Sequence, residues 1–111
     1  MDTTPVEIRY YQTKARKCPF KDWLDSLDAT IRSRVDARLT RVQRGLLGDA
    51  EPVGDGIFEF KLDVGPGYRI YFGRVKGAIV ILLYAGDKRT QSADIRTAQA
   101  YWTDYLRRTE K

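Results

Sequence analysis

The chain contains no histidine, and only one cysteine and one methionine, in 111 residues. Without histidine there can be no Ser-His-Asp triad, no paired-histidine ribonuclease chemistry and no histidine metal site. Cys18 alone forms neither an internal disulfide nor a multi-cysteine zinc site. Lacking an activating histidine, it reads as a small apolar filler beside Pro19 at a helix entrance, and a reducing compartment is its simplest setting. No uninterrupted apolar run approaches membrane-spanning length, and the opening MDTTPVEIRYY has no basic segment followed by an apolar one, so a cytoplasmic chain with no membrane partner is expected. Asp and Glu are plentiful but form no tight metal motif. GDGIF and GPGYR are not phosphate-cradling loops, because neither opens a helix followed by Lys and Ser or Thr. No metal and no cofactor are expected.

Hydrophobic residues make up 42% of the chain and charged residues 32%, which fits one folded domain over residues 1–111. Twenty Lys and Arg against fifteen Asp and Glu leave a net charge of +5, a balance suited to a partner that carries phosphates.

Val6, Ile8 and Tyr10 alternate with Glu7, Arg9 and Tyr11, the period of a half-buried strand. From Phe20 the period lengthens. Phe20, Trp23, Leu24 and Leu27 mark a short amphipathic helix with Pro19 at its first position. Asp28 caps a second helix whose apolar stripe is Ile31, Val35, Leu39 and Val42, and Gly45 ends it. Residues 20–45 thus read as a helical hairpin over one sheet face, and residues 46–56 as a loop. Phe58, Phe60 and Leu62, then Tyr68, Ile70 and Phe72, give a hairpin with one apolar and one polar face. The unbroken run Ala78–Leu83 gives an interior strand after a turn at Lys76 and Gly77. Ser92 and Asp94 cap and charge a last helix with the stripe Ile95, Ala98, Trp102 and Tyr105. The order β-α-α-β-β-β-α predicts an α+β domain with a mainly antiparallel four-stranded sheet.

Strand phase places Glu59, Lys61, Arg69 and Tyr71 on the polar face of one hairpin, with Lys88 and Arg89 able to reach its rim. A solvated face with cross-strand ion pairs would look the same by alternation. Arginine along the second helix reads as the solvated side of an amphipathic element, with a phosphate-facing stripe as the alternative and no catalytic role.

The blocks FKDWLDSL, EPVGDGIFEFKLDVGPGYRIYF and LLYAGDKRTQSADIRTAQAYW occur in the order in which the chain resembles the addiction-module killer proteins, HigB-like members of the RelE/ParE toxin superfamily. The resemblance implies a RelE-like fold and the toxin of a type II toxin–antitoxin pair that cleaves messenger RNA at the ribosome. It also implies an antitoxin encoded by the adjacent gene. Carried over by motif, the catalytic candidates are Lys61, Arg69, and Lys88 or Arg89. Glu59 stands where the family's first strand lysine would be, and no tyrosine follows GDKRTQS. Tyr71, Gln91 and Asp94 are expected to contact RNA. Metal-free scission would then have Arg69 on the scissile phosphate, Glu59 or Lys61 as base, and Arg89 or Lys88 stabilising charge. The same fold also serves ParE-like toxins that poison DNA gyrase, and an inactive nucleic-acid-binding domain is a third reading.

Overall fold

The computed structural model describes residues 5–109. In chain order these form β1 (Glu7–Tyr10), α1 (Pro19–Asp25), α2 (Ala29–Gln43), β2 (Ala50–Gly54), β3 (Ile57–Leu62), β4 (Tyr68–Val75), β5 (Ile79–Asp87) and α3 (Gln91–Thr109), with a 3-10 turn at Lys88–Thr90. The fold is α+β and mostly antiparallel, as the hydrophobic periods predict.

Pro19 opens α1, where its missing N–H is no loss. Asp28 caps α2 by accepting the Ile31 amide at 3.0 Å. The last helix begins slightly earlier than expected. Asp87 caps the 3-10 turn that leads into it, accepting the Arg89 amide at 2.8 Å, while Ser92 lies inside α3.

The sheet has five strands in the order β1-β5-β4-β3-β2, with β1 parallel to β5. The extra strand, β2, lies in the segment expected to be a loop. Its sequence AEPVG has no apolar alternation, and it holds its place through pairing with β3 at an open edge, where Pro52 needs no ladder partner on its outer side.

Helices cover both faces of the sheet. On one side Phe20 and Leu24 of α1 and Val35, Leu39 and Val42 of α2 meet Phe60, Ile70, Phe72, Val80 and Leu82. On the other, Ala98 and Trp102 of α3 close over Ile57, Tyr71, Ile81 and Leu83. This corrects the expectation of one exposed polar face: Tyr71 is fully buried and Glu59 is 3% exposed. A register shift between β4 and β5 after Tyr71 changes the phase of β5, so that Val80, Leu82 and Ala85 face one layer while Ile81 and Leu83 face the other. Two covered faces explain the unbroken apolar run of β5.

Candidate functional site

The β3–β4 register sets Glu59 opposite Tyr71 and Lys61 opposite Arg69. Strand phase aims all four side chains at the layer containing α3, and α3 stops short of covering Lys61 and Arg69. The Oε2 atom of Glu59 lies 4.0 Å from Lys61 Nζ and 3.9 Å from Arg69 Nη1, and its Oε1 accepts a hydrogen bond from Gln91 Nε2 at 3.0 Å. A buried carboxylate therefore sits beneath two cations and is tied to the first turn of α3. At 3.9 Å the Arg69 contact is a charge contact rather than a hydrogen bond, and Arg69 Nε has no partner. The planar guanidinium keeps donors free for an incoming acceptor.

Lys61, Arg69 and Lys88 line one open cleft of about 420 Å³ beside the β3–β4 turn, together with Asp63, Tyr68 and the turn backbone of Gly65–Gly67. The Lys88 amide donates to the Gly67 carbonyl at 3.0 Å, which fixes the end of β5 against that turn. Three cations around a polar hollow suit a phosphodiester, because charge-assisted contacts to oxyanions gain strength where solvent is partly excluded.

The other expected site residues lie outside the cleft wall. Arg89 is 80% exposed in its side chain and forked onto Asp87 at 2.8 Å, which holds the Asp87 carboxyl below its ordinary range. Gln91 is engaged with Glu59. Asp94 is buried, accepting the Thr90 hydroxyl at 2.6 Å and pressed against the Gly86 backbone, where a Cβ would come within 2.0 Å of Oδ2. Tyr71 is buried with its hydroxyl unpartnered, and burial pushes its phenol well above the usual range. Tyr71 is buried because α3 covers the strand face that alternation alone left open, and Asp94 because it lies on the side of α3 turned toward the sheet.

Three residues on or beside the cleft were missed. Tyr68 was read only as part of the apolar phase, yet as the first residue of β4 its ring reaches both Trp23 and the turn at Gly65. Asp63 directly follows β3. Glu51, 3.4 Å from Lys61 Nζ, belongs to the strand that the sequence pattern did not reveal. Among the described residues no cluster of acidic, Cys or His side chains could hold a metal, and no helix is long and apolar enough to cross a membrane.

The architecture is RelE-like in fold. A free-state double arginine-to-alanine mutant of the E. coli toxin RelE superposes with a TM-score of 0.59 at 14% identity, over 84% of this chain and 97% of that one. The profile of the phage-derived Gp49-like proteins (DUF891) matches residues 22–102, and the chain belongs to that family. An uncharacterized protein of Haemophilus influenzae is 44% identical over 81 residues, 72% of this chain and 82% of that protein.

Proposed function

We propose that the protein is the toxin of a type II toxin–antitoxin pair, a metal-independent endoribonuclease that cuts translated messenger RNA at the ribosome in the cytoplasm. An antitoxin encoded by the adjacent gene neutralises it. Membership of the Gp49-like family and the fold shared with RelE support the toxin assignment. The observation that carries the chemistry is the Arg69 guanidinium, set in one cleft with Lys61 and Lys88 and held over Glu59 by a charge contact without a hydrogen bond.

In this reading Arg69 grips the scissile phosphate through two parallel N–H donors. The 2′-oxygen attacks phosphorus and its proton leaves to water, the bond to the 5′-oxygen breaks as that oxygen takes a proton from the Lys61 ammonium, and the crowded phosphorane charge is met by Arg69 and Lys88. Of the two bases expected from sequence, Lys61 stands on the cleft wall but is paired as an ammonium with Glu51 and Glu59, so in this reading it serves as the proton donor to the leaving oxygen rather than as the base. Glu59 lies beneath it and acts as a positioning residue that holds Lys61, Arg69 and Gln91 in place.

The test is cleavage of messenger RNA in a translation reaction containing a chelator, with 5′ ends mapped. Arg69→Ala should lose roughly tenfold to a thousandfold in rate, the range for a preorganised donor, and keep its melting temperature. Undiminished cleavage by the folded variant would remove Arg69 from the mechanism. Inhibition of gyrase supercoiling without any RNA cleavage would make the protein a ParE-like poison instead.

A further inference from the structure

The cleft does not end at Lys61. A second groove of about 280 Å³ shares Lys61, Leu62, Asp63 and Val64 with it and runs on to α2, where Arg34, Arg38 and Arg41 form the far wall. These three stand at i, i+4 and i+7, one helical face turned one residue from the buried stripe Val35, Leu39 and Val42. We infer that this groove is an extended binding track for the sugar–phosphate backbone of single-stranded RNA, continuing the strand beyond the scissile linkage. The inference rests on reading the cleft as an RNA site.

The three arginines divide the work. Arg38 is a strut: its guanidinium lies 5.2 Å from the centre of the Phe60 ring and its Nη2 donates to the Leu47 carbonyl at 3.1 Å. Gly48 leaves room for it, since a Cβ there would come within 2.9 Å of Nη2. Arg34 and Arg41 are exposed and make no ion pair among the described residues. Charged side chains that hold no intramolecular partner, flanking a groove continuous with a cationic cleft, are free to neutralise phosphates at successive positions.

The lining also argues against a docked peptide. Ala37, Leu62 and Val64 are its apolar members, with no aromatic side chain among them. Helix-in-groove and strand-addition partners take their affinity from runs of apolar anchors or from a strand edge, whereas this wall is a basic helical face opposite the last two residues of β3 and the start of the turn that follows. Backbone phosphates need neither.

The experiment measures binding of 2′-O-methyl oligoribonucleotides, which lack the attacking hydroxyl, by fluorescence anisotropy between about 50 and 200 mM salt. A trinucleotide reaches little past the scissile linkage, and a twelve-nucleotide strand extends well beyond it. For the longer strand, the double variant Arg34→Ala/Arg41→Ala should bind about tenfold more weakly and lose about 1.4 from the slope of log affinity against log salt, at ~0.7 per phosphate released. Trinucleotide affinity should change by less than about twofold, and Arg107→Ala, on the exposed end of α3, should leave both strands unaffected. An unchanged slope for the longer strand overturns the track. So does an acidic peptide that outcompetes the longer strand and loses its own binding in the double variant, since the groove would then belong to a protein partner. If the wild-type protein cleaves no RNA yet keeps the Arg34/Arg41-dependent slope, the nuclease reading fails and the track stands. Active cleavage with no such dependence has the opposite meaning.

Discussion

Glu51 and Glu59 face each other directly across β2 and β3, a pairing that repels unless a cation lies between them. Lys61 supplies it, 3.4 Å from one carboxylate and 4.0 Å from the other. Glu59→Gln keeps the shape and a partner for Gln91 while removing the charge beneath Lys61 and Arg69, so RNA cleavage should fall by about tenfold or more with little change in melting temperature. A normal rate would show that Glu59 positions nothing the reaction needs. Tyr71 behaves differently. Its buried, unpartnered hydroxyl carries a desolvation cost, so Tyr71→Phe should stabilise the fold by about 1 kcal/mol in denaturant unfolding. Destabilisation would mean that the hydroxyl has a partner after all. The contrast marks what single residues reveal in sequence. Alternation placed Glu59, Lys61, Arg69 and Tyr71 on one face correctly, because the β pleat dictates it. The burial of Glu59 and Tyr71 was illegible, because it depends on a helix that begins 32 and 20 positions further along the chain. Asp94 hid for the same reason: nothing local shows that its carboxylate docks on Gly86.

The last helix decides which parts of the sheet stay open. Trp102 lies flat enough on β4 that a Cβ at Gly73 would come within 2.4 Å of its ring, so Gly73 is required for close approach rather than for turning. Gly73→Ala should cost about 1–3 kcal/mol through overpacking. Trp102→Ala should cost about 3–5 kcal/mol by emptying the second core layer. If Gly73→Ala is neutral in thermal and denaturant unfolding, α3 is free to shift away from the sheet and the cover over Glu59 is loose. The helical stripes were readable because three-to-four-residue spacing survives in Val35, Leu39 and Val42 and in Ala98 and Trp102. The strand β2 was not, since its residues are chosen for an edge: Pro52 blunts further pairing and Glu51 keeps the outer side charged. The phase change in β5 was equally hidden, because an apolar residue suits either face of a doubly covered strand.

Across the whole molecule, the segment just past the parallel edge strand and the final helix are clasped by a polar cluster on the far side of the sheet from α1 and α2. Tyr11, just past β1, donates its hydroxyl to Asp104 of α3 at 2.6 Å, and Arg108 binds the same carboxylate at 2.8 Å. Arg108 also donates to the Gln12 carbonyl. Burial, and then the Asp104 hydrogen bond, push the Tyr11 phenol up to about 12. The Tyr11 hydrogen bond, with Arg108 adding to it, holds the Asp104 carboxyl below its ordinary value. The sign follows from proton binding. Between about pH 10, where an unfolded tyrosine ionises, and about pH 12, the folded state keeps a proton that the unfolded state has lost, so stability falls as pH rises. Asp104 works at the other end: its contribution is present above the unfolded carboxylate range and is lost on acidification through the depressed folded value. Tyr11→Phe removes the titrating phenol and the main donor to Asp104 together. Its melting temperature should therefore decline less than that of the wild type over the alkaline interval, and its decline on acidification should be shallower, because Asp104 has lost the main hydrogen bond that depressed its folded-state value. Melting curves collected from about pH 3 to 12 separate the two effects. Parallel alkaline profiles for the two proteins would show that β1 and α3 are held by their apolar layer alone.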